Sequence, residues 1–432
     1  MDLNIPWIKN FIMKIKIYNK RTISSIILCH SVYIMALLFS GVLSAEDFRD
    51  SSQDKTLEDP EMKFQELLSR ENNAISIHEG SGDLQISLLS SKPSITKKVD
   101  GDQNFEIRIP IGSGADMICY TAEKNSDVPH AYLKSFFDHM KNNQQIQKRA
   151  LKTLRAGLIQ DLPYIYMETE YLTRDKKYGR VKSLAFSILG NSFFCFHDEL
   201  GYKQTFLRVI SSLVQSDFIR EFKEKFSNYH EKQIDLIYLN GVSVGFFENY
   251  EYNDDKNNRS LLTISSLIMP GNNSDLIGMG TFTNVSVDQQ SGEVLSEKHY
   301  SYINNKVNHE LQLDRTGENQ YRIKGNHSGK EVNNTFKTAK PLLSSTVLIK
   351  DFNKTKEQNE IYFEEYSPIS PLGASTGRII SKGIKGDGTT HLKYTIHSQT
   401  YDFFMDKNGY RSFKMSMGPV FMTLKRSFYD RR

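Results

Sequence analysis

Tryptophan is nearly absent and cysteine is scarce: the chain has one Trp and three Cys in 432 residues. So few cysteines exclude a disulfide-dense scaffold. With 26 Gly and 11 Pro there is neither a collagen-like repeat nor a Pro/Gly low-complexity chain. Long apolar runs are missing too, apart from one near the N-terminus, and that excludes a multi-span helical membrane protein. What the chain does hold is 38% hydrophobic residues, with 26 Phe and 22 Tyr. This is enough for one or two buried cores and too much for a disordered tail.

The single apolar run, residues 22–45, contains no Asp, Glu, Lys or Arg and follows Lys14, Lys16, Lys20 and Arg21. A basic flank before an apolar stretch is the export pattern, and it places everything after Ala45 outside the cytoplasm. Small residues close the run and a polar segment follows. Signal cleavage is therefore expected after Ser44 or Ala45, the alternative being an uncleaved signal anchor facing the periplasm. Met13 opens a more ordinary basic n-region than Met1 and is the alternative start. Cys29 lacks the small residue a lipoprotein signal needs before it.

The leader also accounts for the apparent basicity. Of 55 basic and 51 acidic residues, five basic and one acidic lie in residues 1–45, leaving 50 of each sign in the exported part. A neutral chain gives no footprint for nucleic acid, and the membrane is expected to be met only through the leader. The address is periplasmic or secreted, and the leader type points to a bacterial source.

Cys119 and Cys195 remain in a compartment that is oxidising. They read either as a disulfide or as two buried thiols. Closing a loop of that length is worth about 4 kcal/mol in the chain-entropy model.

Residues 46–74 read as a polar linker with one short helix. Residues 75–215 read as an α+β domain, an antiparallel sheet with packed helices. Phe105 to Ile111 alternates at period two and Met117 to Tyr120 is a second extended run. Pro129 opens an amphipathic helix through Tyr132, Leu133, Phe136, Phe137 and Met140. A second helix is read through Ala150, Leu151, Leu154 and Leu158. Strands follow at 164–172, 181–189 and 192–197, the last two joined at Gly190-Asn191. Phe206, Val209, Ile210 and Leu213 then mark a closing helix.

The stretches FEIRIP and TFLRVISSLV in this order resemble the exported PsbP/DcrB-like α+β family. The resemblance implies a strand that opens the fold and a C-terminal helix that seals it, with no catalytic residues to carry over. The tryptophan common after the proline in that family is missing in IPIGSGADM.

A charged helical linker at 216–232 leads into residues 233–432, where short strands alternate with Asn/Gly turns about 8 to 14 residues apart. This reads as an all-β domain, a large curved antiparallel meander or open barrel. Its longer loops are placed at 341–346 and 367–376. The layout is similar to exported proteins with a curved LolA-like antiparallel sheet.

Candidate chemistry is thin. Gly241-Val-Ser-Val-Gly245 matches the nucleophile-elbow string, but Asn240-Gly241 is a hairpin signal and Ser243 belongs in a strand. Glu168 and Glu170 share a strand face roughly 7 Å apart, a spacing a glycosidase pair can use, though a solvated face is the plainer expectation. His197-Asp198-Glu199 is an acid–base cluster only if a cleft forms there. The loops at Gly112-Ser-Gly114, 325–330 and 383–388 lack the pattern or the helix a phosphate site needs. His391 and His397 stand too far apart on one strand for one ion, and 406–409 lacks most ligands of a calcium loop. No metal and no cofactor are expected. Sequons at Asn258, Asn272, Asn284, Asn326, Asn333 and Asn353 mark exposed loops of the β-domain.

The expectation is an exported, non-catalytic protein of the cell envelope whose β-domain binds an apolar ligand or another envelope component. Two readings stand beside it: an exported hydrolase using Ser243 or the Glu168/Glu170 face, and a secreted host-interaction protein.

Overall fold

The computed structural model describes residues 74–432 apart from short breaks, the longest at 88–93, 98–104, 111–115, 123–128 and 353–358. The leader, Ser44, Ala45 and the polar linker up to residue 73 lie outside the described residues, as do Gly112-Ser-Gly114, Glu199, Asn272, Asn353 and His397.

A hairpin comes first, β1 (Ala74–Glu79) and β2 (Gly82–Ser87). Seven strands then form one antiparallel sheet: β3 (Ser94–Lys97), β4 (Phe105–Pro110), β5 (Asp116–Ala122), β6 (Ile146–Ile159), β7 (Leu162–Thr173), β8 (Tyr178–Ile188) and β9 (Asn191–Asp198). Their order is β3-β4-β5-β9-β8-β7-β6. Helix α1 (Pro129–Asn142) covers one face and α2 (Lys203–Val214) the other. Strand alternation sends Ala185 to α1, with Leu133 and Phe137, and sends Leu184 and Phe186 to α2, with Phe206 and Ile210. On the α2 side Cys119 and Cys195 face each other across β5 and β9 and form a disulfide.

The stretch through Ala150, Leu151, Leu154 and Leu158, expected to be helical, lies in the strand β6 instead. A bulge between Leu151 and Thr153 shifts the phase, so Leu151, Leu154 and Ala156 point the same way. The step of three across the bulge, from Leu151 to Leu154, with Leu158 four residues on, imitates a helical face.

Fourteen strands build the second sheet. They are β10 (Glu231–Leu239), β11 (Val242–Asn253), β12 (Arg259–Pro270), β13 (Leu276–Val287), β14 (Val294–Ile303), β15 (Lys306–Gly317), β16 (Gln320–His327) and β17 (Lys330–Lys337). After a short helix α3 (Ser345–Asp351) come β18 (Glu360–Tyr366), β19 (Ala374–Ile384), β20 (Thr390–Ile396), β21 (Gln399–Asp406), β22 (Gly409–Met417) and β23 (Val420–Arg431). Each pairs antiparallel with its sequence neighbour, except across α3, and β23 returns beside β10. The ladder is a meander that runs in a circle but stays open between β17 and β18.

A round barrel of this strand number would leave a wide lumen. Here the two halves instead meet across packed side chains: Phe247, Leu267 and Met279 of the first half join Phe363, Leu392, Phe403 and Phe413 of the second. The gap is stitched by residues 341–352, which sequence reading placed partly in a loop ending at Thr346. Leu342 bridges Glu364 and Leu343 bridges Glu293. Ile349 and Phe352 then enter one apolar cluster and Val347 another. Sequence reading also runs a single strand over 391–400, which the fold divides. β20 ends at Ile396 and Thr400 already belongs to β21.

The two sheets share a core. Leu133 and Phe137 of α1 pack with Leu236, Phe246, Ile268 and Leu276 of the larger sheet.

Candidate functional site

Beside its apolar cluster, part of the inner face of the curled sheet is polar. Asp235 on β10 is fully buried. Its carboxylate accepts from Gln233 Nε2 at 2.8 Å, from Asn249 Nδ2 at 3.1 Å and from the Tyr410 hydroxyl. Thr263 Oγ1 donates to Asn249 Oδ1 at 3.0 Å and completes the network. Register explains the convergence: Gln233 lies opposite Asn249, and Asn249 opposite Thr263. Burial pushes the Asp235 carboxyl up to about 7, against the hydrogen bonds that favour its charged form.

Above this network lies a recess of about 450 Å³ of empty space, including the part open to solvent, lined by Gln233, Asn249, Leu261, Thr263, Thr346 and Tyr410. Only about two water molecules fit within it. Its rim is charged. Lys350 of α3 reaches Glu231 at 2.6 Å and also pairs with Glu251. Arg259 holds Glu251 at 2.8 Å and pairs with Asp351. The arrangement can seat small polar groups and exchange a proton near neutrality.

Further along the same face, Thr283 Oγ1 and His299 Nδ1 lie 2.8 Å apart, and the rings of His309 and His327 stack at 4.2 Å. Burial holds His299 at about 3 and His309 at about 4. Glu365 accepts from the Ser345 N–H at 3.0 Å and from the Tyr394 hydroxyl, and burial raises it to about 7. Burial, and then the charge of Glu365, push the carboxyl of Glu297 well up.

The residues singled out in the sequence fall elsewhere. Ser243 stands in β11, after a turn in which Asn240 and Gly241 both have positive φ, and its Oγ donates to the Ala156 carbonyl at 2.7 Å. Glu168 is 4% exposed, not solvated, and accepts from the Tyr166 hydroxyl. It lies opposite Lys182, and Lys182 opposite His197, so three buried titratable side chains form a row across β7, β8 and β9. Glu170 binds Arg180 at 2.5 Å. Burial alone would raise Glu170, but its bonds from Tyr178 and Arg180 and the charge of Lys152 hold it low. Asp198 accepts from the Tyr171 hydroxyl at 2.8 Å. His391 bonds Asp402 at 2.6 Å, and Asp406 at the end of β21 pairs with Arg426 of β23.

The inner polar face was missed because its strands alternate normally. In EKQIDLIYL and VLSEKHYSYI, Gln233, Asp235, Glu297 and His299 sit on what reads as the solvent face. Only the curl of the sheet shows that this face is enclosed.

No family model matches the sequence, and no curated protein matches it. Among solved structures, one similar to this chain is the beta-barrel-like protein of domain of unknown function DUF1849 from Brucella abortus. It covers 48% of this chain and 98% of that chain at 10% identity, with a TM-score of 0.38. Another is the di-domain ARO/CYC StfQ from the steffimycin biosynthetic pathway, covering 48% of this chain and 67% of that chain at 7% identity, with a TM-score of 0.11.

Proposed function

We propose that this chain is an exported, non-catalytic protein of the cell envelope that works by binding another envelope component. The observation that carries the reading is the buried Cys119–Cys195 disulfide, a bond that persists in oxidising compartments, in a chain led by an export-type segment. The filled interior supports engagement of a macromolecular surface over carriage of an apolar ligand, because the aromatic side chains that would line a cavity pack against one another. Outward positions such as Glu310, Arg322, Lys324 and Glu331 are exposed and charged, where a membrane barrel presents an apolar band.

Catalysis gains little support from the hydrolase candidates. Ser243 is committed to a backbone carbonyl, and Glu168 and Glu170 to Tyr166 and Arg180. The test is fractionation of cells expressing the full chain, with fluorophosphonate labelling of each fraction. The expected result is protein outside the cytoplasm and no label on Ser243. A cytoplasmic protein, or a labelled Ser243, overturns the reading.

A further inference from the structure

The two sheets end in four strands, and these ends differ in chemistry. β3 has only four residues. β6 is long but carries Lys148, Arg149, Lys152 and Arg155 with no acidic residue, a charged edge that repels its own copy. The far edge of β18 is taken by the linker, with Leu343 N–H donating to the Glu364 carbonyl at 2.9 Å. β17 is different. Among the described residues it pairs only with β16, and its other edge faces no strand; the loop before β19 reaches it through the Asn334 amide, whose Nδ2 donates to the Leu372 carbonyl at 3.1 Å.

Its sequence, KEVNNTFK, fits itself. Laid antiparallel on a second copy with Asn334 on the two-fold axis, Glu331 falls opposite Lys337, Val332 opposite Phe336 and Asn333 opposite Thr335. Each pair then occurs twice. A slip of one residue would set inner side chains against outer ones. A slip of two opposes Glu331 to Thr335, or Lys337 to Asn333, and loses the charge match. Glu331 and Lys337 are exposed, and neither has an ion pair within the chain among the described residues. Val332 and Phe336 face inward against the cluster around Tyr321 and Ile323, so the strand is held in place and its outer edge is preformed.

We infer that a second copy of this chain pairs with β17 along this edge, as an isologous strand-to-strand dimer in register about Asn334. The dimer joins two fourteen-stranded sheets into one. Opposite-charge pairs directly across an antiparallel ladder attract and like charges repel, so Glu331 and Lys337 set both the register and the choice of partner. The inference is independent of where the protein works, because it concerns the purified chain alone.

Sedimentation velocity over a concentration series tests it with four proteins. The unmodified chain is expected to dimerise. Glu331→Lys and Lys337→Glu, each placing like charges together, are expected to be monomeric. The double swap is expected to dimerise again, and an equimolar mixture of the two single variants to form a heterodimer. Both sites are exposed, so circular dichroism and melting curves should be unchanged. A chain that stays monomeric throughout, or a dimer indifferent to both single swaps, overturns the inference.

Discussion

His130 stands directly over Gly278: a Cβ placed on that glycine would lie 2.6 Å from His130 Cδ2, and the three atoms nearest to it all belong to that one side chain. The histidine opens α1, its backbone N–H donates to Ser266 Oγ at 3.0 Å, and its Nδ1 lies 3.0 Å from the same hydroxyl. It is fully buried and keys the smaller sheet's helix into β12 and β13 of the larger one.

Gly278→Ala is therefore expected to cost about 1–3 kcal/mol through overpacking. In a His130→Ala background the same change should cost much less, since the ring it meets first is gone. Urea unfolding of the two single variants and the double variant checks this, and additive costs would show that the contact is not what excludes a side chain.

Reducing the Cys119–Cys195 bond, which closes a separation of 76 residues, is expected to cost about 4 kcal/mol. The check is the shift in urea midpoint of the purified protein with and without reductant. An unchanged midpoint would mean that the bridge is not formed in solution.

The carboxyls of Asp235 and Glu365 titrate near 7 in the fold, against about 4 in an unfolded chain. The folded state thus holds protons that the unfolded state releases. Their contribution is complete below about pH 4 and is lost as pH rises through about 7, at up to about 1.4 kcal/mol per pH unit for each group. Asp235→Asn removes one of these slopes. Its stability should decline less than that of the unmodified protein between about pH 5 and 8, measured by urea midpoints across that range.

The buried histidines act with the opposite sign. His130 and His299 are held at about 3 and His309 at about 4 by burial, against an unfolded value near 6.5. Their contribution is complete above about pH 6.5 and is lost as pH falls toward the folded values. His299→Asn is expected to soften the acid limb between about pH 6.5 and 4, and an unchanged limb would remove His299 from the account.

Where periodicity was clean, the sequence was readable: α1, α2 and the long run of hairpins follow directly from apolar spacing and Asn/Gly turns. It misled where a bulge changed the phase, as in β6, and where the start of the short helix Ser345–Asp351 fell in a stretch read as a loop through Thr346. The network around Asp235 was illegible for another reason. Gln233, Asn249, Thr263 and Tyr410 come together only through strand register and the return of β22 and β23 to β10, relationships that no local pattern carries.

The most direct test of the central claim is mass spectrometry of the protein isolated from cells whose thiols were trapped by alkylation at lysis. The account predicts that the Cys119 and Cys195 peptides are recovered joined to each other, from protein outside the cytoplasm whose chain begins after Ser44 or Ala45 or is held in the membrane by its intact leader. Recovery of cytoplasmic protein with both cysteines alkylated would contradict it.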